Sequence, residues 1–108
     1  MIRIDASEIR DWDTFHDVFA KVLGFPEFYG RNMNAWIDCV SSLDDPIAGM
    51  TSVHVAPGST MTLIIEGAES FKASCPQQFQ ALLECAGFIN WRLAENDEPA
   101  LLALAFKA

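Results

Sequence analysis

Positive charge is scarce in this chain. Only 7 lysines and arginines stand against 15 aspartates and glutamates, for a formal net charge of −8. There is no basic patch interleaved with aromatics, so a nucleic-acid partner is not expected. A field of this sign also repels anionic membranes and draws in basic proteins, although solubility alone would account for it. Histidine is limited to His16 and His54. His16 lies at helical spacing beside Phe15 and Phe19 and reads as a flank residue. His54 alternates with Val53 and Val55, as in a strand or loop. No cysteine–histidine cluster has zinc spacing, so no metal is expected. APGST (56–60) lacks the lysine and the spacing of a phosphate-cradling loop. A Ser/His/Asp set could be assembled only by free choice among scattered residues. No carboxylate pair sits in an apolar context that would separate two pKa values. Nothing here supports an enzyme, and no cofactor is implied.

Long apolar runs are missing as well. The longest, PALLALAF (99–106), is far too short to span a bilayer. MIRIDASEIR (1–10) has no apolar signal core and no small-residue cleavage site, so a cytoplasmic location is expected. The three cysteines, Cys39, Cys75 and Cys85, are an odd set without framework spacing, which fits reduced thiols. Cys39 and Cys85 read as small buried hydrophobes. Cys75, just before Pro76, reads as an inert surface thiol.

What remains is an apolar chain of one-domain length: 108 residues, 51 % hydrophobic and 20 % charged. Met1 to Ile4 reads as a short strand. Trp12, Phe15, Phe19, Val22 and Leu23 keep helical spacing, which predicts a helix from about Asp13 to Leu23, ended by Gly24 and Pro26. After the loop Phe25 to Gly30, Asn32 is placed to cap a second helix of about eleven residues, to Leu43. Residues 46–60, rich in Gly, Ser, Thr and Pro, form a connection with a brief extended piece at Ser52 to Val55. MTLII (61–65) reads as a fully buried strand. Gly67 to Ala73 reads as a short helix or turn. Pro76 opens a helix running to about Glu95, with Gly87 as a possible interruption. Ala100 to Phe106 is a third strand. The order β-α-α-β-α-α-β argues for an α/β fold, with a small three-stranded parallel sheet packed with about four helices, in one domain over residues 1–108.

The stretch FPEFYGRNMNAWIDCV (25–40) is the unusual one. It crowds Phe25, Phe28 and Tyr29 around Pro26 and Gly30 and then enters the second helix. At about 100° per residue, Met33, Trp36, Val40 and Leu43 share one side of that helix, with Cys39 at its edge. Asp38 points almost directly away from them. Asn34, Ser41 and Asp45 share its side, and Ile37 falls on the flank. An apolar anchor beside a carboxylate and small polar groups, next to loop aromatics, has the composition of an interface centre. The plainer alternative is a solvated helix face and a loop whose aromatics fold into the core.

These residues resemble the barstar family, intracellular inhibitors of the ribonuclease barnase. The likeness rests on Pro26-Glu27, the aromatic pair Phe28-Tyr29, Gly30, Asn32, Ala35 and Asp38-Cys39, and more weakly on MTLII followed by Glu66. It implies a three-stranded parallel sheet, no catalytic activity, and a helix and loop that enter the cleft of a basic secreted ribonuclease, where carboxylates take the place of RNA phosphates. Asp38 matches the family's central aspartate, whose importance comes with the resemblance. Phe28 stands where the family usually has tyrosine, Asn34 where it has a second aspartate, and Ile37 where it has tryptophan. Arg31 replaces an acid. GAES (67–70) also occurs in the family, but here it directly follows the second strand, so Glu69 is not assigned to the interface. The expected partner is a basic ribonuclease or nuclease toxin. It would be met by Phe28, Tyr29, Gly30, Asn32, Asn34, Ile37, Asp38 and Ser41, with the free protein a monomer. A binding module with a non-nuclease regulatory partner is the second reading.

Overall fold

The computed structural model describes residues 1–108. Its strands are β1 (Ile2–Asp5), β2 (Met61–Glu66) and β3 (Leu102–Lys107); its α-helices are α1 (Trp12–Leu23), α2 (Met33–Val40), α3 (Ala68–Ser74) and α4 (Pro76–Glu95). The element order and fold class are those the sequence implies. All pairings are parallel, with β2 in the centre; Ile4 pairs with Ile65, and Ile65 with Phe106. Each parallel neighbour needs a crossover, which the helical segments supply.

MTLII is not buried on both faces. Met61, Leu63 and Ile65 are buried, while Thr62, Ile64 and Glu66 between them are half-exposed. A continuous apolar run therefore conceals an alternation: the open face carries an Arg3–Glu66 ion pair at 3.2 Å. Over the other face lie Phe15, Phe19, Trp36, Phe71, Leu82 and Ile89, all with 1 % exposure or less. Asn90 joins α4 to the sheet. Its carbonyl accepts from the Leu101 and Leu102 amides at 3.0 and 3.2 Å, and its amide donates to the Leu102 carbonyl at 2.9 Å.

Asp11 starts α1 by accepting from the Thr14 amide at 2.8 Å, while the Thr14 hydroxyl accepts from the Asp11 amide at 3.0 Å. The Thr14 amide, and then the Thr14 hydroxyl donating to the same carboxylate at 2.8 Å, hold the Asp11 carboxyl below its ordinary range. Gly24 ends the helix at φ 67°, and a Cβ there would lie 1.8 Å from the Ser52 hydroxyl. Gly24 is therefore required both by its left-handed backbone and by the close approach of the later chain.

Four local expectations change. α2 ends at Val40, short of Leu43: the Ser42 and Leu43 amides bond back three residues, to Cys39 and Val40, so the last turns tighten. The connection has no extended piece at Ser52 to Val55. It carries a 3-10 turn at Pro46–Ala48 and is tied down by Ser52 N–H to the Leu23 carbonyl and Val55 N–H to the Leu43 carbonyl, at 2.9 and 3.0 Å. α4 runs unbroken through Gly87. Cys75 is buried, with its thiol 3.6 Å from the Ile9 carbonyl, whereas Cys85 is only half-buried.

Candidate protein-binding surface

The loop between α1 and α2 divides its aromatics. Phe28 is 76 % exposed, while its neighbour Tyr29 is buried. The Tyr29 ring packs against Phe25, with centroids 4.7 Å apart, and its hydroxyl lies 2.6 Å from His16 Nδ1. His16 is thus a core residue, not a flank residue: Trp12 stacks on it and Phe15 meets it edge-on. Burial and then the nearby Arg31 lower the His16 pKa, against the opposing pull of Asp13 and Asp17. Burial pushes the Tyr29 phenol well above its ordinary range. Both groups are neutral near pH 7, so the phenol can donate to the imidazole. Tyr29 consequently anchors the loop from beneath in the free protein, and Phe28 alone forms its exposed aromatic edge.

Arg31 anchors the same loop from outside. It adopts φ 54°, an uncommon backbone for a residue with a side chain. Its guanidinium reaches back to α1, 2.9 Å from Asp17, 3.6 Å from Asp13 and 2.9 Å from the Asp13 backbone carbonyl. Hydrogen bonding to Asp17 leads the effects that raise its pKa. The sequence marks Arg31 only as a departure from an acidic position; the structure gives it these partners.

Gly30 is exposed and does not need a positive φ. Asn32 is engaged structurally: its side chain accepts from the Ala35 amide at 2.8 Å, capping α2, and donates to the Gly30 carbonyl at 3.3 Å. Asn34 is exposed, and Ile37 is half-buried against the core. Asp38 is exposed, and its carboxylate has no hydrogen-bond or ion-pair partner. Ser41 accepts from Arg92 of α4 at 3.0 Å. Beneath α2, the buried Trp36 indole N–H lacks a partner. The surface therefore joins an exposed phenylalanine, polar Asn34, half-buried Ile37 and an unpaired carboxylate. Tyr29 supports it from below.

No group of His, Cys, Asp or Glu residues is arranged to hold a metal ion. No helix is long and apolar enough to cross a membrane.

A protein-family model described as Barstar (barnase inhibitor) matches residues 1–105. No curated protein matches the chain.

Proposed function

The chain belongs to the barstar family, and we propose that it inhibits a basic ribonuclease or related nuclease toxin by covering the enzyme's active site with α2 and the preceding loop. The family assignment supports a barnase-inhibitor role in general, that of a protein that binds a ribonuclease and is not itself an enzyme. The finer reading rests on one observation: Asp38, at the centre of the outward face of α2, is an exposed carboxylate without an internal cation. An active site built to bind RNA phosphates carries cations that would bind such a group as they bind phosphate. Phe28, Tyr29, Gly30, Asn32, Asn34, Ile37 and Ser41 complete the proposed surface. Phe28, Asn34 and Ile37 offer contacts, while Tyr29 and Asn32 hold the loop and helix in place. The net charge of −8 would steer the complex together. Held in the cytoplasm as a monomer, the protein would protect the producing cell before the enzyme is exported.

The test is inhibition of barnase, the ribonuclease named in the family description, by the intact protein and by Asp38→Ala. Loss of inhibition in a folded Asp38→Ala variant supports the assignment. Undiminished inhibition removes Asp38 from the contact surface. The second reading, a binding module with a non-nuclease regulatory partner, is favoured by Arg31, which neutralises acids at the edge of this surface and so weakens its appeal to a basic enzyme. A wild-type protein that leaves barnase and other secreted basic ribonucleases fully active would favour that reading.

A further inference from the structure

The two edges of the sheet differ. β1 carries Arg3 and Asp5 within its four residues, whereas β3 has no charged side chain from Leu102 to Phe106. Charges along an edge oppose pairing with another chain, and β3 lacks them until Lys107. The backbone of β3 alternates in what it faces. The Met61 N–H donates to the Leu101 carbonyl at 2.7 Å, which sets the phase of the parallel ladder. Ala103, Ala105 and Lys107 therefore direct their N–H and C=O groups at β2, while those of Leu102, Leu104 and Phe106 point outward. Asn90 takes both outward groups of Leu102, as a neighbouring strand would. No side chain bonds the outward groups of Leu104 or Phe106, and the strand around them is largely exposed.

A groove of about 360 Å³ lies beside this free edge, between β3, the start of α3 and the start of α4. Phe79 and Phe106 form its apolar wall, with ring centroids 5.7 Å apart, and Phe106 is 48 % exposed. The Lys72 ammonium stands 5.9 Å from the Phe79 centroid, and Lys107 follows Phe106 on the strand. Neither lysine has a carboxylate partner, and Glu69 is the one acid lining the groove. Outward backbone groups, an apolar groove and unpaired cations are the parts of a strand-addition site. We propose that β3 takes up an extended segment of another protein as a fourth strand, with an apolar side chain in the groove and a carboxylate at Lys72. The carboxylate follows from charge complementarity. It also sets aside a second copy of β3 as the occupant, because residues 99–108 contain no acid to meet Lys72. The site shares no residue with the surface proposed around α2.

The test is amide hydrogen exchange in the isotopically labelled full chain, read position by position by NMR. Without peptide, Leu104 and Phe106 should exchange faster than Ala103 and Ala105, whose amides face β2. The probe is the acetylated and amidated peptide Thr-Val-Phe-Thr-Asp, in which Phe and Asp share one face of an extended strand. At about ten times its Kd it should slow Leu104 and Phe106 about tenfold and leave the two inward amides unchanged. Lys72→Gln should weaken its binding about threefold, as for an exposed ion pair. The same variant should not alter binding of a peptide with Asn in place of Asp. A peptide that leaves Leu104 and Phe106 unprotected overturns the proposal. Equal binding by a peptide methylated on its Val, Phe and second Thr nitrogens, which cannot pair as a strand, overturns it too. Equal binding of the Asp and Asn peptides overturns the role given to Lys72. Protection of Leu104 and Phe106 that grows with protein concentration without peptide would make a second copy the occupant and overturn the choice of partner.

Discussion

Two neighbouring helix faces of this protein carry aspartates in opposite electrostatic states. On α1, Asp13 and Asp17 lie against the Arg31 guanidinium. On α2, Asp38 has no cation at all. By charge and exposure these acids are equivalents, since all three are exposed and fall in the same acidic first half, and only the family resemblance singles out Asp38. The structure separates them by what they can still do. A carboxylate paired within its own chain helps hold a scaffold, although an exposed pair contributes little energy. An unpaired one is available to another molecule's cation. Net charge would draw the proposed basic partner near, while pairing shows that Asp38, unlike Asp13 and Asp17, is free to meet it.

The sharpest way to break the contrast is to remove the free acid. Asp38→Ala is expected to cost at least about 2 kcal/mol of affinity for the ribonuclease, roughly thirtyfold in Kd, because the partner's cation would be left desolvated and unpaired. Thermal stability should be unchanged, since the carboxylate has no internal partner. Calorimetric titration beside a thermal melt would read both. A fall in stability with affinity intact would show that Asp38 belongs to the scaffold after all.

The support beneath the loop comes next in size. Tyr29→Phe keeps the ring packed against Phe25 but removes the hydroxyl 2.6 Å from His16 Nδ1. A buried imidazole nitrogen then loses its partner, at an expected cost of about 1–3 kcal/mol in urea unfolding. If the variant is as stable as the parent, water reaches His16 and the loop is looser than the packing implies.

His16 also sets a pH dependence. Its folded pKa lies below the ordinary 6.5, chiefly through burial and then through Arg31, with Asp13, Asp17 and Tyr29 also close by. The unfolded chain therefore takes up a proton first. Stability rises with pH between the folded pKa and about 6.5 and is lost as pH falls through that window, with a slope of at most about 1.4 kcal/mol per pH unit from this group. Urea unfolding across the window should show the slope, and His16→Gln, which cannot titrate, should flatten it. A slope that persists in His16→Gln would assign it to the carboxylates.

How far these differences could be read in advance follows from which side chains interact over short sequence distances. α1 is legible because its apolar spacing and its end at Gly24 are local; the Asp11–Thr14 cap is as local, yet the apolar spacing alone starts the helix at about Asp13. α2 is overextended because Leu43 stays in apolar phase after the backbone has tightened at Ser42. The direction of Tyr29 is set by His16, thirteen positions earlier, and by no local rule. Apolar content alone does not reveal that β2 has an open face, because Ile64 is as hydrophobic as Ile65. The link between α4 and the end of α2 through Arg92 and Ser41 spans 51 positions and needs the fold.

Arg31 is where the smallest effects and the finest comparison lie. Removing it leaves two like charges on α1 without their cation, yet exposed ion pairs are worth only about 0–1 kcal/mol each. Its φ of 54° complicates a simple deletion, because alanine is strained in this left-handed backbone and glycine adopts it without strain. Arg31→Ala and Arg31→Gly both lose the guanidinium, so the glycine variant should be the more stable by about 1 kcal/mol in urea unfolding. Binding kinetics then address the contrast between the two faces. Either variant makes the chain more acidic and frees Asp13 and Asp17, so association with a basic ribonuclease should quicken and become more sensitive to salt. Dissociation should quicken too, because the loop has lost its outer anchor. If the association rate and its salt dependence stay at the parent values, the α1 face takes no part in steering even when unpaired. The attraction would then come from the α2 side alone, and pairing with Arg31 would serve only to hold the loop.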